Sequence, residues 1–162
     1  MAIPRPWLSF PSDPVSSDSV SRSRFSADFT PMKRIRPTAV IADDHAAMRD
    51  LVRRMLLPRF DVVASATDGA DLIDAWQAHR PDLLVVDVDM PRLNGIEAVR
   101  RIRGLGGSSI VVILTVSDDR DLAEAALEAG ANAYVVKTRI ASDLFDAIDA
   151  ALAGGSFVSQ LG

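Results

Sequence analysis

Four short apolar runs in this chain each stop at a polar residue, and those polar residues form one chemical set. TAVIA (38–42) leads into Asp43 and Asp44, DLLVV (82–86) into Asp87, SIVVIL (109–114) into Thr115, and AYVV (133–136) into Lys137. β-rich runs of this length, separated by amphipathic stretches, predict a parallel sheet with crossover helices. All strands of such a sheet run the same way, so their carboxyl ends share one edge, and ligands bind in the crevice outside it. Three carboxylates, a hydroxyl and an ammonium spread over residues 43–137 are therefore expected at one site.

The chain has 162 residues, 48% of them apolar, which is enough for one domain with a core of ordinary size. Cysteine is absent, so disulfides and thiolate metal sites are excluded; a reducing, cytoplasmic setting is expected. No apolar run approaches the roughly 18–20 residues that a membrane-spanning helix needs. Charge is divided unevenly. Residues 1–36 carry six Lys/Arg against three Asp, and the remaining 126 carry 12 against 19, a balance of −7. An acidic domain of this kind is a poor nucleic-acid binder by itself.

Residues 1–31 place five prolines and eight serines among few periodic apolar positions, a composition that buries too little surface to order itself. Residues 1–36 are thus expected to be a disordered extension, or the product of an upstream start with Met32 as the true beginning. From Thr38 the pattern alternates. Strands are predicted at 38–42, 61–66, 82–87, 109–115 and 133–136, and helices at 46–57, from Asp68 to before Pro81, from Gly95 to RRIRGLGG, at 119–129 and at 141–153. Five βα units over about 120 residues predict the flavodoxin-like doubly wound sheet with order 2-1-3-4-5. Residues 37–155 are the expected domain, and 156–162 a tail or the start of a linker.

Asp ionises near pH 4 in a model peptide, so Asp43, Asp44 and Asp87 are expected to be charged at neutrality. At about 5 Å apart and an effective dielectric near 20, each pair repels by roughly 3 kcal/mol. Such a site needs a cation, and hard carboxylate oxygens favour Mg²⁺ or Mn²⁺ over zinc. A plainer role, capping the first helix, suits one of Asp43 and Asp44 but not both together with Asp87. A divalent ion beside one fixed carboxylate, with a hydroxyl and an ammonium opposite, suits phosphoryl transfer. Asp87, at the end of the most buried central strand, is the expected nucleophile. Lys137 and the Thr115 hydroxyl are expected to meet oxygens of the incoming group.

The acidic pair Asp43-Asp44, Asp87 within DVDMPRLNG, Thr115 closing its strand and AYVVK ending at Lys137 resemble the receiver domain of two-component response regulators. The wording ADDH, DVDMPRLNG, LTVSDD and LAGGSFVS is most similar to the NarL/FixJ subgroup. The resemblance covers about 37–155 and implies a CheY-like fold. It implies Asp87 as phospho-acceptor, Asp43 and Asp44 as anchors of Mg²⁺, the backbone carbonyl of Asp89 as a further ligand, and Thr115 with Tyr134 as a switch pair. It also implies a histidine kinase or phosphotransfer protein as donor. Catalysis is then limited to the domain's own phosphorylation and dephosphorylation. The downstream consequence is repacking of the surface of the fourth helix, fifth strand and fifth helix toward a protein partner, or a phosphorylation-dependent homodimer.

Two other readings compete. DVDMP also resembles the nucleophile motif of haloacid-dehalogenase-type phosphatases, but there the nucleophile strand comes first and the acidic pair last. A receiver-like fold used only for binding, without phosphorylation, would not need the intact five-residue set. In the subgroup resembled, a DNA-binding domain usually follows the receiver. These residues leave no room for one, so no direct DNA or membrane binding is expected of them; a stand-alone receiver and a fragment remain open. His45 and His79 are expected at the surface, Trp76 in the core or at its rim, and Arg100, Arg101 and Arg103 on a solvated helix face. Val116 is expected to narrow water access to the site.

Overall fold

Short runs of β-branched and aliphatic residues become strands wherever helices can cover them on both sides. In the computed structural model, which describes residues 36–162, β1 (Thr38–Ala42), β3 (Leu83–Val86), β4 (Ile110–Thr115) and β5 (Ala133–Val136) are buried along nearly their whole length. Continuous burial is what a parallel sheet sandwiched between helices demands. β2 (Asp61–Ala66) alternates exposed and half-buried residues and is an edge strand. The expectation for residues 1–36 lies outside the described residues, Arg36 excepted. The helices are α1 (Ala46–Leu56), α2 (Gly69–His79), α3 (Gly95–Gly104), α4 (Arg120–Glu128) and α5 (Ile140–Leu152). Among the described residues no helix is long and apolar enough to cross a membrane.

The strand order is β2-β1-β3-β4-β5-β6, with every neighbouring pair parallel. The order matches the expected doubly wound sheet, with one correction. The sheet has six strands rather than five, because β6 (Phe157–Val158) pairs with the outer edge of β5. A two-residue strand with neither alternation nor a turn signal carries too little pattern to be read from sequence.

Local chemistry sets the helix ends. The Asp68 and Asn94 side chains accept from the backbone N–H of Asp71 and Glu97, three residues on, which caps α2 and α3. Leu72 and Trp76 of α2 are fully buried against β1 and α3. Pro58 stands two residues beyond the end of α1, and Arg80, left-handed at φ 44°, precedes Pro81. Arg103 departs from expectation: its guanidinium donates to the carbonyls of Gly107 (2.9 Å) and Gly130 (3.0 Å) and to Asn132 Oδ1 (3.1 Å). A forked donor of fixed geometry here ties two loops together instead of facing solvent.

The chain moves outward from β1 to β2 and then returns to place β3 on the other side of β1. The carboxyl ends of β1 and β3 therefore flank the point where the winding reverses, which is where open α/β sheets bind ligands.

Candidate functional site

Asp43 and Asp87 are the first residues past β1 and β3, and backbone hydrogen bonds hold both in register with a neighbouring strand. The Asp43 N–H donates to the Ala66 carbonyl (3.1 Å) and the Asp87 N–H to the Ala42 carbonyl (2.8 Å). Both side chains are buried, at 2% and 3% exposure. Lys137 begins a single 3₁₀ turn, Lys137–Arg139, immediately after β5. Its Nζ lies 2.8 Å from Asp43 Oδ2 and 3.3 Å from Asp87 Oδ2. Residues from three strand ends thus meet as the parallel topology requires.

The loop after β3 fits closely beneath Asp87. Gly95, the first residue of α3, donates its N–H to the Val88 carbonyl (3.0 Å), and a Cβ there would collide with the Asp87 carbonyl oxygen. Only glycine permits that approach. Asp89 is exposed, with its N–H 3.4 Å from Asp87 Oδ1. Asp44 lies partly exposed beside Asp43. It does not cap α1; the residue in that position is His45, whose N–H donates to Asp43 Oδ1 at 2.9 Å.

Burial, and after it the charge of Asp43, pushes the Asp87 carboxyl above the usual carboxylate range, with Lys137 opposing the rise. For Lys137, burial works to lower the affinity for its proton. The hydrogen bond to Asp43 and the charges of Asp87 and Asp43 outweigh it, so the ammonium is held above its ordinary value and stays charged. Three carboxylates (Asp43, Asp44, Asp87) against one ammonium leave an excess of two negative charges in a crevice where Asp43, Asp87 and Lys137 are shielded from water. A divalent cation matches that excess. Donor atoms of Asp43, Asp44, His45 and Asp87 all lie within 4.8 Å of one another, a span one ion can bridge.

His45 lies at the surface, as expected, and joins the acidic group. Its side chain is exposed, but Nδ1 sits 2.9 Å from Asp44 Oδ1 and 3.3 Å from Asp43 Oδ1. Its only sequence signal is adjacency to the acidic pair. His79 is exposed, as expected, and Trp76 is core.

Thr115 ends β4 and is fully buried; its Oγ1 accepts from the Ser117 N–H at 3.4 Å. Among the described residues no hydrogen bond joins it to Asp87 or Lys137. The Tyr134 ring is fully buried as well, and its hydroxyl donates to the Ser117 carbonyl (2.9 Å). Thr115 and Tyr134 therefore grip the same loop from two strands. Tyr134, expected to form a switch pair with Thr115, lies inward here. Val116, the residue after Thr115, projects into solvent at 68% exposure.

The family described as "Response regulator receiver domain" matches residues 39–149. The chain belongs to that family. This receiver domain is 33% identical over 121 residues to the transcriptional regulatory protein DegU of Brevibacillus brevis, covering 74% of the chain and 51% of that protein. It is 31% identical over 114 residues to the chemotaxis protein CheY of Bacillus subtilis, covering 70% of the chain and 95% of CheY. A solved two-component response regulator of the LuxR family from Aurantimonas sp. SI85-9A1 superposes with a TM-score of 0.72 at 35% identity, covering 77% of this chain and 91% of that one. The chain thus spans about half the length of the DegU relative and almost all of CheY. Receiver domains are phosphorylation-dependent signalling switches.

Proposed function

We propose that Asp87 accepts a phosphoryl group from a histidine kinase or phosphotransfer protein and that the α4–β5–α5 surface changes in response. The observation that carries this reading is the placement of Lys137 Nζ, 2.8 Å from Asp43 and 3.3 Å from Asp87, on a carboxylate pair buried at a sheet edge. An Asp87 carboxylate oxygen forms a bond to phosphorus as the phosphorus–nitrogen bond of the donor's phosphohistidine breaks, and the electron pair stays on the imidazole. Lys137 pairs with a phosphoryl oxygen, and the buried crevice keeps water from competing. Asp43, Asp44 and Asp87, with the backbone carbonyl of Asp89, would hold Mg²⁺ or Mn²⁺, which when bound neutralises charge on the phosphoryl oxygens.

The Thr115 hydroxyl then donates to a phosphoryl oxygen and draws the loop around Ser117 with it. Because the Tyr134 hydroxyl holds the Ser117 carbonyl, that displacement reaches β5 and the faces of α4 and α5. Converting a 1:99 population into 99:1 takes about 5.5 kcal/mol, within reach of a few charge-assisted hydrogen bonds of roughly 1.5–3 kcal/mol each. We assign residues 37–155 to the receiver, with β6 of the following tail added to its sheet, residues 1–36 to an extension, a protein partner or a second copy as target, and a cytoplasmic setting. The acidic balance of residues 37–162 argues against direct DNA binding by this segment.

Incubating the purified chain with a small-molecule phosphodonor and Mg²⁺ should add the mass of one phosphoryl group. The gain should vanish in Asp87→Ala. No gain on wild type, or an undiminished gain on the variant, counts against the reading.

A further inference from the structure

Ser159, which directly follows the two-residue strand β6, and Asp143 of α5 form a buried polar pair outside the phosphorylation site, at 2% and 5% exposure. Ser159 N–H donates to the Tyr134 carbonyl (2.8 Å), and its Oγ accepts from the Val136 N–H (3.1 Å). The same hydroxyl donates to Asp143 Oδ2 at 2.6 Å. Asp143 also accepts from Arg139 Nε (3.0 Å) and from Ser142 Oγ (2.7 Å). Val136 and Arg139 bracket Lys137: one is the last residue of β5, the other the last of the 3₁₀ turn that Lys137 opens. The backbone of Val136 and the side chain of Arg139, on either side of the site lysine, are thus tied to one serine–aspartate pair.

We propose that the C-terminal strap 157–162, through Ser159 and Asp143, positions the Lys137 ammonium over Asp87, and that strap docking and occupation of the site by a phosphoryl group reinforce each other. Lys137 reaches the site on a four-carbon stem, so where its charge lands depends on where the 136–139 backbone is held. Misplacement by about 1 Å can cost a site up to 10²-fold. A phosphoryl group engaging the ammonium from the front fixes the same turn that the strap fixes from behind. Two ligations that order one element favour each other equally, by linkage. Ser159 and Asp143 are positioning residues and touch no reacting atom. This inference rests on the assignment of Asp87 as acceptor.

Beryllofluoride, a phosphoryl mimic, is the equilibrium probe. In Ser159→Ala its affinity in saturating Mg²⁺ should fall about tenfold, inside the usual 5- to 150-fold span of coupled sites. Ser159→Thr, which keeps the hydroxyl, should restore it to within about threefold, and Mg²⁺ affinity should not weaken in either variant. In wild type, amide exchange of 157–161 should slow when beryllofluoride binds, a result that needs no variant to fold. Wild-type affinity in Ser159→Ala, or exchange in 157–161 that ignores bound beryllofluoride, overturns the proposal. Wild type that neither binds beryllofluoride nor gains phosphoryl mass rejects the acceptor reading itself, and the strap's role with it.

Discussion

Asp87 is placed where its charge is costly. Burial and the neighbouring Asp43 lift its carboxyl above the ordinary range. A carboxyl raised in this way contributes stability that is complete below the unfolded-state value, near pH 4, and is lost as pH rises through the higher folded-state value. Ionised Asp87 therefore opposes folding at neutral pH when no cation is bound. Asp87→Asn should raise the melting temperature by a few degrees at pH 7 in the presence of a chelator, and the gain should shrink as pH falls toward 4. Equal melting temperatures at pH 7 would show that Lys137 already offsets the burial. At this scale Asp43, Asp87 and Lys137 were legible because each directly follows an apolar run, and a parallel sheet converts "last in its strand" into "at the site". His45 was legible as a surface side chain, and the structure adds its contacts with the Asp43 and Asp44 carboxylates. Arg103 was not legible, because what it does depends on the carbonyls of Gly107 and Gly130 around it.

Helix α3 shows how an element is fitted to a site. Its start is fixed by the Asn94 cap and by Gly95, which lets the first turn close against the Asp87 carbonyl; its end is Gly104, with open space around it. Two alanine substitutions in one helix should therefore differ in sign. Gly95→Ala forces backbone to shift and should destabilise by about 1–3 kcal/mol, as overpacked sites do. Gly104→Ala adds a better helix former and should be neutral or stabilising by up to about 1 kcal/mol. Urea midpoints of the two variants decide this, and a mild Gly95→Ala would mean the β3–α3 loop is more pliant than its packing suggests. The helices were readable from their apolar stripes and stop signals, whereas the β6 strand depended on an edge that β5 leaves open and so had no local pattern to betray it.

For the molecule as a whole, a net excess of two negative charges in one crevice couples folding to divalent ions. An ion that binds only the folded state stabilises it by RT ln(1 + [L]/Kd), about 2.7 kcal/mol at a hundred times Kd. Melting temperature should thus climb steadily with Mg²⁺, and Asp44→Ala should lose most of the climb while changing little in chelator, since Asp44 is partly exposed. A Mg²⁺-independent melting curve for wild type would remove the cation from the site. The sequence by itself determined the α/β alternation, the sheet order and the convergence of Asp43, Asp44, Asp87 and Lys137, because periodicity and strand polarity are local properties that topology merely adds up. Tertiary structure alone decided that Lys137 bridges Asp43 and Asp87, that Tyr134 lies inward on the Ser117 carbonyl, and that residues 157–159 line the edge of β5. Those are distances between side chains and edges remote in the chain, and they are fixed only when the packed core sets where each backbone segment stands.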